Sequence, residues 1–336
     1  MNVQGFRVLG TRLFAVGAAI AAVAISSGPA RADVLTVSTL DQLNLIVFGS
    51  DSSSSDVQGR AVIGGSLSGT SNYFTNGTNA GASSYAALTV GGALGGTVNV
   101  NDGGNVIVGG SAGTINLNGG GQALVGGGFA GTHNGNQKDD QTGLVIPSFK
   151  ASALSLSSSL DQQAANSTLV EVNQNSNVFT AHPNAQGVAV FDITGAQLQA
   201  ADPTFILNGA TSVIINVDAA TVSLSRNFND AAIGSDLLWN FYDATNVTFG
   251  TEFGGTILAP EAAVTNNNEI DGTLVASSLT QNGKIALDDY AGILPTSNVT
   301  TQVAATTVPE PSTLWLFAVG LVGLLGVRSF HRRRPA

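Results

Sequence analysis

Four short phrases constrain the fold of this chain more than any other feature: AVIGG (61–65), LTVGG (88–92), VIVGG (106–110) and ALVGG (123–127). Their glycine pairs begin at Gly64, Gly91, Gly109 and Gly126, giving steps of 27, 18 and 17 residues. Each phrase is a β-favouring run closed by a Gly-Gly turn. SLSGT, NVNDGG and INLNGGG supply second strands and further turns behind them. A short strand, a sharp corner and another short strand, repeated in this way, is the sequence form of a β-solenoid. Glycine and asparagine are expected at the corners because they tolerate positive φ angles. The 27-residue first step leaves room for an inserted loop, SNYFTNGTNAGASS.

The second half keeps a similar rhythm. LLWNF (237–241), GTILAP (255–260) and GTLVAS (272–277) step by 18 and 17 residues, and VIINV (213–217) with TVSLS (221–225) reads as the coil before them. Two strand regions thus bracket a different middle, PSFKASALSLSSSLDQQAA. There Phe149, Ala153, Leu156, Leu160 and Ala164 fall on one helical face. The fold class expected is all-β, a β-solenoid or β-helix with about 17–18 residues per coil and one helix, about 147–165, packed alongside.

Both ends of the chain read as targeting segments. Arg7 and Arg12 precede an apolar run, Leu13 to Ile25, which Ser26-Ser27-Gly28-Pro29 breaks. Ala30-Arg31-Ala32 then forms an A-x-A cleavage site for signal peptidase, so the mature chain is expected to begin at Asp33. At the other end, Pro309-Glu310-Pro311 leads into Leu314–Val327, which carries no charge, and then into Arg328, Arg332, Arg333 and Arg334. The run would extend roughly 21 Å as a helix, short for a hydrocarbon core about 30 Å thick. The arginines are expected to stay cytoplasmic. The prolines keep the preceding peptide extended. Val308 to Arg334 resembles the PEP-CTERM sorting signal. That resemblance implies transient anchoring in the inner membrane and cleavage near Pro309, Glu310 and Pro311 by an exosortase, in a Gram-negative bacterium that makes exopolysaccharide.

Trimming both ends changes the charge balance. Asp33 to Thr307 holds five basic residues (Arg60, Lys138, Lys150, Arg226, Lys284) against twenty-one acidic ones, a net charge of −16. Nucleic acid would be repelled, as would an anionic polysaccharide without bridging cations. There is no cysteine, so an exported domain must hold together without disulfides. Forty-two glycines do not signal disorder here, because valine, isoleucine and leucine are plentiful and grouped in short runs.

Residues that carry chemistry are sparse. His133 sits in a polar stretch, GTHNGNQKDD, and is expected in a solvated loop; neither it nor His182 has zinc-ligand or triad spacing. Asp139-Asp140, Glu269-Ile270-Asp271 and Asp288-Asp289 are close carboxylate pairs of the kind glycosidases use, but only Lys138 adjoins one. No cofactor is expected. Calcium is the metal these oxygens suit, with Glu269 and Asp271 in NNNEIDG and Asp139 and Asp140 in NQKDD as weak candidates.

LNLIVFGSDSSSSDVQGRAVIGGSLSG (43–69) resembles the opening of the choice-of-anchor A domain, and VAVFDITGAQL (188–198) resembles its middle. SVIINVDAATVSL and LLWNFYDATNVTFGTEFGGTILAPEAAVTNNNEIDGTLVASSL resemble its closing half. The resemblance spans about 43–295 and implies an adhesive β-helical domain with no catalytic residues to carry over. The organisation expected is a signal peptide (1–32), this domain (33–300), and a linker with the sorting tail (301–336). The expected role is non-enzymatic: an adhesive or structural protein of the cell surface, outer membrane or exopolysaccharide matrix, with matrix polysaccharide or surface proteins as partners. The alternative is a polysaccharide-degrading β-helix enzyme. Ice binding is a minor alternative, because the threonines do not recur at one fixed coil position in the sequence.

Overall fold

A computed structural model describes residues 31–138, 144–173, 176–228 and 233–294. The chain separates into two compact units, Met1–Leu294 and Pro295–Ala336, and the second lies outside the described residues. So does the apolar run 314–327; among the described residues no helix is long and apolar enough to cross a membrane. The described part is mostly β, with a 22-stranded sheet paired in parallel, a three-stranded sheet, a two-stranded pair and three α-helices.

The parallel pairs line up into three ladders. In the first, Val188–Thr194 pairs with Ser212–Asp218, and the ladder runs on through Leu237–Asn240 and the starts of Thr256–Asn266 and Leu274–Gln281. It then continues into Leu45–Val47, Ala61–Ile63, Leu88–Val90, Val106–Val108 and Gln122–Val125. The chain's first ladder strand is therefore seated on its last. The two strand regions read from the sequence are one ladder, joined through their outer ends. The steps are also less even than 17–18 residues: Ile214 pairs with Val190 and Leu238, whereas Leu45 pairs with Ala61. Insertions at the corners absorb the difference, with register shifts at Ala259–Ala263 and Ala112–Thr114 where strands pass from one ladder to the next.

Alternation along each strand decides what the ladder buries. Leu45, Val47, Ala61, Ile63, Leu88, Val90, Val106 and Val108 point into one core. That core is aliphatic at these steps. In the longer steps it widens and is filled by Trp239, Phe191, Phe179, Phe228 and Phe253, whose rings meet edge-on or tilted. The buried indole N–H donates to the Gly254 carbonyl at 3.0 Å. The residues between point outward, and there Ile46, Val62, Val190, Ile214, Leu238, Leu258 and Val275 are also buried, in a second core. Three helices accompany the sheet: α1 (Val37–Leu40), α2 (Lys150–Asp161) and α3 (Gly195–Ala200). Helix α2 covers the outward apolar column with Phe149, Ala153 and Leu160, as the helical face predicted. It is shorter than 147–165, and Ala164 lies beyond it, exposed. At the lower edge, Asn166 caps Val188–Thr194 by accepting from the Val190 N–H at 2.8 Å, which blunts an open strand edge.

The recurrent glycines serve close approach rather than positive φ. Gly64, Gly91, Gly109 and Gly126 are absent from the positive-φ residues. A Cβ on Gly91, Gly109 or Gly126 would lie 2.3, 2.4 or 2.6 Å from the carbonyl oxygen of Gly64, Gly91 or Gly109. Each glycine is required by the backbone carbonyl one step below, which for Gly64 is that of Phe48 at 2.5 Å. The inserted loop is also found. It leaves the sheet at Phe74 and is held by Arg60, whose guanidinium donates to the Ala80 and Gly81 carbonyls at 2.6 and 2.7 Å.

Where the chain's ends meet, buried polar groups replace aliphatic ones. Asn44 donates to the Gly272 and Ala286 carbonyls at 2.7 and 2.9 Å and accepts from the Gly59 N–H at 3.0 Å. The Ser53 hydroxyl donates to Gln281 Oε1 at 2.6 Å. Asp51 is 1% exposed, and its Oδ1 has no hydrogen-bond partner among the described residues. Burial pushes its carboxyl up to about 7, opposed by the Tyr73 hydroxyl that faces it.

Two outcomes are expected. Gly109→Val forces a branched side chain against a carbonyl and should lower stability by about 1–3 kcal/mol in urea titration, whereas Gly95→Ala, with 3.8 Å to its nearest neighbour, should be tolerated. The second concerns pH. A folded-state value for Asp51 above its unfolded value of 3.8 means that the native state holds the proton more tightly. Stability from this group is full below pH 3.8 and is lost as pH rises to about 7. Asp51→Asn should therefore match the parent near pH 4 and exceed it at pH 8, by up to about 4 kcal/mol, read from urea midpoints across pH.

Candidate functional site

Parallel ladders place like residues in columns, so outward polar residues become rows of one chemistry. On the second ladder, Ser223, Thr248, Thr265, Thr280, Ser52 and Ser68 occupy one register column. This corrects the sequence reading that the threonines share no fixed position. The column was hidden because it begins in the second half of the chain and ends in the first, with unequal steps.

The third ladder carries a motif that the sequence reading passed over. Thr70-Ser71-Asn72, Thr97-Val98-Asn99, Thr114-Ile115-Asn116 and Thr132-His133-Asn134 stand in register, with Thr over Thr and Asn over Asn. The middle residues Ser71, Val98 and Ile115 are buried, while the threonines and asparagines face outward. The amides bond to one another in a single direction. Asn116 donates to Asn99 Oδ1 at 2.8 Å, Asn99 to Asn72 Oδ1 at 2.7 Å, and Asn72 to Asp56 Oδ1 at 2.6 Å. A carboxylate only accepts, so Asp56 fixes the orientation of every amide above it. The signal was legible as T-x-N recurring at 70, 97, 114 and 132, but asparagine was expected at corners and the threonines at no fixed position.

A shorter ladder of the same construction lies under α2. Asn240 donates to Asn216 Oδ1 at 2.9 Å, and Asn216 donates to Asp192 Oδ1 at 3.0 Å. Here the helix takes the remaining valences: Asn216 donates to the Leu160 carbonyl at 2.9 Å, Asn240 to the Ser157 carbonyl at 2.9 Å, and the Ser157 hydroxyl to Asn240 Oδ1 at 2.6 Å.

The residues named from sequence fall as follows. Glu269 forms an ion pair with Lys284 at 2.7 Å. Asp271 is half-buried, and burial first, then Glu269, raises its carboxyl above the usual range, with Lys284 opposing. Asp139 and Asp140 lie outside the described residues, as do Ala30, Pro309, Glu310 and Pro311. Ala32 lies in the short strand Arg31–Ala32, paired with Pro147–Ser148. Among the described residues, no three acidic or histidine side chains are placed to hold a metal ion. Asp288 and Asp289 diverge. Burial raises both, but Asp288 senses Asp271 and Asp236, whereas Asp289, pushed up to about 7, senses Asp41 most among its charged neighbours and accepts from Thr273. His133 is on a strand, not in a loop; it is exposed, with its ring 4.9 Å from that of Phe129.

The two amide ladders should differ in cost. Asn240→Ala leaves the buried Ser157 hydroxyl and the Asn216 Oδ1 without their partners and should destabilise by about 2–4 kcal/mol. Asn99→Ala, on the uncovered ladder, should cost under about 1.5 kcal/mol. Denaturation followed by Trp239 fluorescence checks both.

Comparison with known proteins bears on this surface. A family model described as "Putative Ice-binding-like adhesive domain" matches residues 36–287, and a PEP-CTERM protein-sorting motif matches residues 307–334. No curated protein and no solved structure matches the chain. The sorting motif implies processing by an exosortase and export to the cell envelope or surface. The first match covers most of the chain and contains all three ladders, so the protein belongs to the ice-binding-like adhesive domain family and carries a PEP-CTERM sorting motif at its C-terminus.

Proposed function

We propose that this protein is a non-enzymatic adhesive module, exported and sorted through its tail to the cell surface or the surrounding matrix. The observation that carries the reading is an adhesive-family domain and an exosortase sorting motif on one chain. The outward faces support it. They offer columns of hydroxyls and amides at a fixed spacing of about 4.8 Å, suited to many weak contacts rather than one deep one. Affinity then comes from many copies displayed together. The finer fold reading belongs to the same proposal: the three ladders are the three sides of one β-solenoid, which the chain visits in turn. Ala61–Ile63, Leu67–Tyr73 and Leu88–Val90 follow this order, and the rigidity of such a body keeps its columns straight. The partners in this reading are matrix polysaccharide or surface proteins.

A second reading is favoured by one observation. The Ser/Thr column from Ser223 to Ser68 is a straight rank of small hydroxyls that can order water, which is the demand of ice binding.

Gene deletion in the host tests the first reading, with intact mass of the released protein as a companion measurement. Loss of cell aggregation and of matrix retention, with a native mass that starts at Asp33 and ends near Pro309, is the expected result. Unchanged aggregation and retention would sink the adhesive reading. Slowed ice growth by the purified protein would favour the second.

A further inference from the structure

The two aspartate-capped amide ladders differ in what covers them, and the covered one shows what the uncovered one can hold. An asparagine amide has two donors and two lone pairs. A ladder uses one of each. Under α2, the second donors of Asn216 and Asn240 go to helix carbonyl oxygens, and the Oδ1 of Asn240, at the end of the ladder, takes a serine hydroxyl. Asn72, Asn99 and Asn116 spend the same ladder valences on one another and on Asp56. Among the described residues, no helix or loop side chain bonds to these three from outside. They are only half-buried. Water can complete them, and a ligand that replaces that water would present oxygen acceptors and hydroxyls in repetition, at about 4.8 Å per step.

The neighbouring column agrees. Thr70, Thr97, Thr114 and Thr132 stand beside the amides, two residues earlier on each strand, and add a hydroxyl at every step. Neither column contains a charged residue from Thr70 to Asn134; charge enters further down, at Asp56 and the Lys284–Glu269 pair. The area is small. Four steps of two columns measure about 14 Å by 7 Å between outermost side chains. A stable interface between folded proteins needs about 800 Å² from each partner, so a second copy or a globular partner is a poor fit. A single extended chain running along the columns fits better. In a mature domain of net charge −16, a neutral chain is the one not repelled.

We propose that the Thr–Asn columns at 70/72, 97/99, 114/116 and 132/134 are the docking track for a neutral, unbranched polysaccharide lying along the ladder. Its ring and acetal oxygens accept from the second amide N–H of Asn72, Asn99 and Asn116, and its hydroxyls donate to the amide oxygens and pair with the threonines. The assignment rests on the adhesive reading and names the ligand class for it. Asp56 is a positioning residue, since it orients the amides without reaching the ligand.

The test is affinity electrophoresis of the native protein through gels containing dextran, hydroxyethyl cellulose or alginate. The variants are Thr97→Ala/Thr114→Ala on the track and Thr248→Ala/Thr265→Ala on the hydroxyl column of the second ladder, with melting curves to confirm folding. Retardation by a neutral glucan and not by alginate, weakened about tenfold by the track variant and unchanged by the other, is the expected result. Equal retardation of both folded variants would overturn the track while leaving the adhesive reading standing. No retardation of the parent by either neutral glucan would overturn the ligand class, and the deletion phenotype then judges the adhesive reading separately. Partition into growing ice in place of glucan binding would assign the face to ordered water and overturn the proposal.

Discussion

Parallel backbone pairing at one strand spacing governs the rest of this molecule. When a strand lies in register about 4.8 Å from the next, every side chain is stacked on the equivalent one, and each column must be filled by residues that tolerate their own kind as neighbours. Aliphatic residues do so inside. Glycine does so at the corners, where a Cβ on Gly109 would strike the Gly91 carbonyl. Asparagine does so outside, because each amide can donate to the one below and accept from the one above. The repeats in the sequence are the trace of that one requirement.

A sheet of this size also needs a use for its outer faces. Along the first ladder the outward column is apolar at Leu258, Val275, Ile46 and Val62, and it would be a liability in water. Helix α2 covers it, and the burial on both sides makes these strands read as continuous hydrophobic runs rather than alternating ones. Where the column turns polar, at Asp192, Asn216 and Asn240, the helix meets it with Ser157 and its own carbonyls instead. One helix thus satisfies apolar and polar parts of the same column.

The third ladder shows the same amide chemistry left open. What differs between the ladders is coverage, not composition. A column that a helix completes in one place is left to solvent in the other among the described residues, and the acidic remainder of the domain limits what can approach it. The sorting motif marks the chain for export to the cell envelope or surface, and the family match covers the residues that form these ladders.

Much of this was legible in the sequence. The strand phrases, the inserted loop and the covering helix follow from local periodicity, which depends only on neighbours along the chain. The sorting tail is a local pattern as well. Register across the ladder is not local. That Leu45 sits on Leu274, that Thr280 sits on Ser52, and that an aspartate at 51 is buried while one at 41 is exposed depend on contacts between the chain's two ends. Unequal corner insertions hid the hydroxyl column, and the T-x-N repeat was visible without its direction, which Asp56 sets in three dimensions. The sequence by itself determined the elements, their apolar faces and the sorting motif that marks the chain for export. The tertiary structure decided which strands are neighbours, and therefore which side chains stand in a row, because that choice rests on closing the first strand onto the last.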